Sequence, residues 1–216
     1  SYLIALLAGA GWAFILYRLC TRGKLRALAS TNTKKTALLL TLLCAAVNLA
    51  WVLAVRIEPF SDYETYWQTA CALAFGGEID APWYIAMYPH ILGCSTFLSV
   101  FLKIFGEHVM VAAVINVILT CLSGLLIYGI CLRLASPLTA ALAYLLWIVC
   151  PSKLMLDPLV FSEPLYTCLI LLFFYLIVLI EGQRGSLPRR LGICLLWGLA
   201  LGVLLRAVNI VRPISA

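Results

Sequence analysis

Long runs without a charge restrict this chain most. No charged residue falls in Thr36 to Val55, in Val109 to Leu132 or in Pro164 to Ile180. A helix of about 20 such residues crosses a hydrocarbon core about 30 Å thick. In water a helix that is apolar all round has nowhere to put its outer face. Composition agrees: 64% of residues are hydrophobic and 11% charged. A soluble domain carries about half apolar and about a quarter charged residues. The pattern predicts an all-α, polytopic transmembrane helical bundle.

Six spans are expected: Ser1 to Leu19, Thr36 to Val55, Val109 to Leu132, Pro137 to Cys150, Pro164 to Ile180, and one from Leu191 onward. The first is too long and too aromatic for a signal peptide, and no small-residue cleavage site follows. Pro137 suits the first turn of its helix. Ile91 to Phe105 is apolar but short, and Gly106 ends it. The stretch from Arg56 to His90 and the segment Pro151 to Ser162 read as polar loops. Ser1 is not Met and the end at Ala216 falls in an apolar stretch, so the chain reads as a piece of a longer protein. Residues 1–35 then form an extra span with a basic loop, and residues 36–216 the main module.

Charge sets the orientation. With Ile91 to Phe105 laid on the surface, segments 18–35, 133–136 and 181–190 share one side. They carry ten basic residues and one acid, Glu181. Segments 56–108 and 151–163 share the other side, with Arg56, Lys103 and Lys153 against eight acids. Lys and Arg collect in the cytoplasm, so the acidic segments are expected outside. A crossing helix at Ile91 to Phe105 would scramble this asymmetry, so a juxtamembrane helix in the outer leaflet is expected there. The net charge of +6 is spread along the chain, which argues against nucleic acid as a partner. Nine cysteines are scattered singly with no CxxC pair, as small hydrophobic packing groups.

Ionisable groups at membrane helix ends are functional candidates. Asp62 opens Ser61-Asp62-Tyr63-Glu64-Thr65-Tyr66, and either Ser61 or Asp62 could instead cap a helix. Glu163 stands in Ser162-Glu163-Pro164, where a helix-dipole role is the alternative. Asp157-Pro158 reads as a turn. His90 closes Tyr88-Pro89-His90 and reads as a hydrogen-bonding group. Asp62, Glu163 and His90 have the chemistry to hold a divalent ion, but no ligand spacing supports one. Arg206 and Arg212 either snorkel or face a polar cavity, where a phosphate would suit them.

Several motifs follow in order: Ser61-Asp62-Tyr63-x-x-Tyr66, Ala70-Cys71-Ala72-Leu73-Ala74-Phe75-Gly76-Gly77, Tyr88-Pro89-His90-Ile91-Leu92-Gly93, Phe101-Leu102-Lys103-Ile104-Phe105-Gly106, Ile127-Tyr128-Gly129, Cys150-Pro151, Ser162-Glu163-Pro164-Leu165 and Arg212-Pro213. From about Thr36 to Ala216 this order resembles the GT-C membrane glycosyltransferases, in particular bacterial relatives of the protein O-mannosyltransferases and the lipid A aminoarabinose transferases. The resemblance implies transfer of a sugar from a polyprenyl-phosphate donor to a lipid, glycan or protein acceptor on the extracytoplasmic face of the cell membrane. It implies that Asp62 is the catalytic base or acceptor-binding acid, with Glu163 lining the same cavity. Tyr66, Tyr88, His90, Lys153 and Arg212 are the expected substrate-binding residues, with Lys153, Arg212 or a divalent cation offsetting the leaving phosphate. Family enzymes are longer, and Ser1 to Leu19 has no counterpart in their common pattern. The rival reading is a non-enzymatic membrane protein: a lipid-sugar flippase, a transporter or an assembly partner.

Overall fold

The computed structural model describes residues 32–79, 82–181 and 187–212, the last stretch as backbone only up to residue 197. The expected span Ser1 to Leu19 and the basic residues Arg18 to Arg26 and Arg184 lie outside the described residues. The described residues form helices and no strand. In chain order these are α1 (Thr33–Ala54), α2 (Asp62–Phe75), α3 (Pro82–Met87), α4 (His90–Phe105), α5 (Val109–Leu134), α6 (Pro137–Ile148), α7 (Pro151–Leu156), α8 (Glu163–Glu181) and α9 (Leu187–Val211).

Local chemistry explains the boundaries. The Asn32 side chain accepts from the Lys35 N–H at 3.0 Å and starts α1. Ser136 does the same for α6 through the Thr139 N–H at 3.2 Å, with Pro137 in the first turn. On α1 the buried residues Thr36, Leu40, Cys44, Asn48 and Val52 recur every fourth position. Leu38, Leu39, Leu42, Leu43 and Leu53 are exposed on the same helix. An exterior that apolar belongs against lipid. Among the described residues three helices are long and apolar enough to cross a membrane: Thr33–Ala54, Val109–Leu134 and Glu163–Ile180.

Helix α5 is the hub, packed on α1, α6 and α8. Its 26 residues extend about 39 Å. Gly124 lets α6 approach: a β-carbon there would stand 2.0 Å from the Tyr144 ring. The buried Tyr144 hydroxyl donates to the Cys121 carbonyl at 3.2 Å. Helix α1 runs antiparallel to α5, with Tyr128 donating to the Thr33 carbonyl near one end and Val52 beside Val109 and Met110 near the other. Helix α8 runs the same way as α5: Leu165 clusters with Ile115 and Leu119, and Tyr175 meets Gly129 and Arg133. The end of α1 and the starts of α5 and α8 thus share one end of the bundle.

The structure corrects several expectations. The stretch from Arg56 to His90 holds two helices, because Tyr66, Thr69, Ala70 and Ile85 are buried. Helix α2 packs extensively on α4. The expected fourth span is α6, whose 12 residues reach about 18 Å, well short of a crossing. Its end lies near mid-height of α5, where Trp147 donates to the Thr120 carbonyl at 2.9 Å. Residues 151–162 are no solvated loop, since Lys153, Asp157, Pro158, Val160 and Ser162 are all buried. Asn116 donates to the carbonyls of Asp157 and Leu159 at 3.1 and 2.7 Å and holds this irregular backbone in place. Non-helical backbone buried inside a helical bundle requires protein partners of this kind. Helix α4 has 16 residues and a buried face of Ile91, Cys94, Ser95, Leu98, Ser99 and Leu102.

Candidate functional site

Asp62 is the first residue of α2, and Ser61 before it has φ 51°, the one positive φ at a non-glycine among the described residues. Such a conformation costs about 1–3 kcal/mol and persists where the surroundings enforce it. Ser61 makes no side-chain capping bond. Asp62 is exposed and its Oδ1 accepts from the Tyr84 hydroxyl at 2.9 Å. This donation to a carboxylate raises the Tyr84 pKa. Tyr84 leans on Tyr88 with ring centroids 4.7 Å apart, and Tyr88 meets His90 edge-on at 6.1 Å.

Glu163 opens α8, and its Oε1 accepts from Arg212 Nη1. Its Oε2 is buried without a hydrogen-bond partner among the described residues. Arg212 follows α9 and lies over the Tyr166 ring at 6.0 Å. Tyr66, one turn after Asp62, is buried against Phe161, and burial pushes its phenol up to about 12. Burial, then the Arg212 charge, lowers the His90 pKa and favours neutral imidazole.

These side chains line one cavity of about 330 Å³: Asp62, Tyr66, Tyr84, Tyr88, His90, Ile91, Phe161, Ser162, Glu163 and Arg212. Six of the seven residues expected at the catalytic and substrate site therefore meet. Lys153 does not. It is buried below, donating to Asn48 Oδ1 at 2.8 Å. Arg206 is exposed, and His108 lines a different cavity. Tyr84 is the participant that the sequence reading missed; its signal is the aromatic pair Tyr84 and Tyr88, one helical turn apart.

The cavity joins opposite charges with a wall of phenols. Arg212 shares its charge with Glu163 and remains half exposed, so an incoming anion has a cation to reach. Asp62 Oδ1 is held by Tyr84, which leaves the other oxygen to accept a proton. Among the described residues no three His, Cys, Asp or Glu side chains are grouped to hold a metal ion.

Helix packing sets Arg212 in place. Gly93 on α4 abuts the backbone of α9, where a β-carbon would stand 2.5 Å from the Ile210 carbonyl oxygen. Backbone cannot yield as a flexible side chain does. Gly93→Ala is therefore expected to cost about 1–3 kcal/mol and to loosen the Arg212–Glu163 pair. Unfolding in detergent, with and without Arg212→Gln, measures both effects. Unchanged stability would mean that α4 and α9 do not meet here.

Compared with protein-family models, with curated proteins and with solved structures, the chain matches none.

Proposed function

We propose that the chain is part of a multi-pass, GT-C-like glycosyltransferase of the cell membrane. It moves a sugar from a polyprenyl-phosphate donor to a lipid, glycan or protein acceptor on the extracytoplasmic face. The observation that carries this reading is the meeting of Asp62, Tyr66, Tyr88, His90, Glu163 and Arg212 in one cavity, from segments far apart in the sequence. A volume of about 330 Å³ suits a small polar ligand.

In this reading Asp62 takes the proton of an acceptor hydroxyl as its oxygen attacks the anomeric carbon. The bond from that carbon to the phosphate oxygen breaks, and the phosphate leaves with the electron pair. Arg212 offsets the charge that develops on it. His90 contributes a hydrogen bond, and Glu163 orients Arg212. The phenols of Tyr84, Tyr88 and Tyr66 form the wall on which a sugar ring packs. A donor with a lipid tail explains a site at the end of a membrane bundle.

Helix α4 lies along the outer interface in this arrangement. Its length is about 24 Å, and Lys103 near its end is exposed. The orientation predicts that, in a background without native cysteines, Asp62→Cys reacts with an impermeant thiol reagent added outside. Arg22→Cys and Arg189→Cys stay protected until the membrane is opened. The reverse pattern would overturn the topology. Transfer of labelled sugar from a polyprenyl-phosphate donor tests the chemistry. Donor binding without any transfer, by the full-length protein with acceptor supplied, would favour the flippase or transporter reading.

A further inference from the structure

A second cavity, of about 430 Å³, opens at the same end of the bundle, where α1 finishes and α5 begins. Helix α2 stands between the two: Tyr66 lines the first and Trp67 the second. The second cavity has an apolar floor that includes Val52, Val109, Met110 and Ala113. Its lining also holds Arg56, Glu58, Glu107 and His108, all exposed. Among the described residues the single ion pair is Arg212 with Glu163. Arg56, Glu58 and Glu107 therefore line this opening with no salt-bridge partner among the described residues. Further along α1 and α5, Leu49, Leu53, Val114 and Ile118 are exposed and apolar.

Opposite charges on one rim above an apolar floor fit a ligand that carries both charges and a greasy tail. An anionic headgroup would meet two carboxylates, and a lone cation would meet Arg56. We propose that this cavity binds the headgroup of a zwitterionic phospholipid. The phosphate sits on Arg56, with the His108 imidazole as a further donor. The ammonium sits between Glu58 and Glu107, near the Trp67 ring. The acyl chains run along the exposed faces of α1 and α5. The bilayer holds its headgroups at the level of helix ends, so the lipid meets this cavity without leaving the membrane. The proposal stands apart from sugar transfer.

Native mass spectrometry of the delipidated full-length protein tests it, with phosphatidylethanolamine and phosphatidylglycerol of identical chains as probes. Phosphatidylethanolamine is expected to bind about tenfold more tightly. Glu58→Gln/Glu107→Gln abolishes that preference, and Arg56→Gln weakens phosphatidylethanolamine binding. Equal binding of the two lipids by the unmodified protein overturns the proposal. So does a preference that survives in the double variant, or an Arg56→Gln variant with unaltered affinity. Glycerophosphoethanolamine, which lacks chains, is expected to compete poorly; competition at lipid concentrations would overturn the assignment to a lipid.

Discussion

Asp62→Asn in the full-length protein is expected to lower sugar transfer by about 10²–10⁴-fold, the contribution of a general base. Asparagine keeps the size of the side chain and an oxygen that can accept from Tyr84, which now bonds Asp62 at 2.9 Å. Folding and donor binding should therefore persist. A capping role makes the opposite forecast, because asparagine caps as well as aspartate. The hydrogen bond from Tyr84, a residue on another helix, already favours a role in the cavity over a cap. Glu163→Gln should have a smaller effect, through looser orientation of Arg212 and weaker charge balance. The measurement is transfer of labelled sugar at equal folded amounts. Undiminished transfer by Asp62→Asn would remove the assignment of Asp62 as base.

Lys153→Met is expected to destabilise the protein by about 1–3 kcal/mol, from the buried Asn48 oxygen left without its donor and the Asp157 carboxyl left without a nearby cation. Lys153 bonds Asn48, and Asp157 stands one helical turn on, accepting from the Thr120 hydroxyl at 2.8 Å. Asp157 is fully buried, and its Oδ2 lacks a hydrogen-bond partner among the described residues. With the ammonium gone, Asn48 Oδ1 has lost its donor. The double variant Lys153→Met/Asp157→Asn should recover part of the loss, because the uncompensated charge goes with it while Asn48 still lacks its donor. Unfolding in detergent reads both. Transfer per folded molecule should change little, since Lys153 is outside the Asp62 cavity. A variant of full stability and lost transfer would return Lys153 to the substrate.

These two sites differ in how much of them can be read along the chain. Asp62, Glu163 and Arg212 stand out because ions interrupt or border apolar helices, and that contrast is local. Tyr84 does not stand out, because a tyrosine in a polar segment is ordinary until Asp62 lies beside it. Lys153 and Asp157 mislead for the same reason. Their neighbours Pro151, Ser152 and Pro158 look like a surface turn, and the groups that bury them, Asn48, Thr120 and Asn116, come from α1 and α5. Helix α6 misleads differently: it is apolar enough for a span, but its 12 residues end against α5 at Thr120.

The long apolar spans and their boundaries follow from hydropathy, capping residues and proline. Each of these acts over a few neighbouring residues, so one chain read in order reveals them. Which side chains share a cavity follows from how helices cross. That depends on contacts such as Gly93 against Ile210 and Gly124 against Tyr144. Such contacts join residues far apart in the chain, and their closeness is set by the mutual fit of surfaces that no single segment contains.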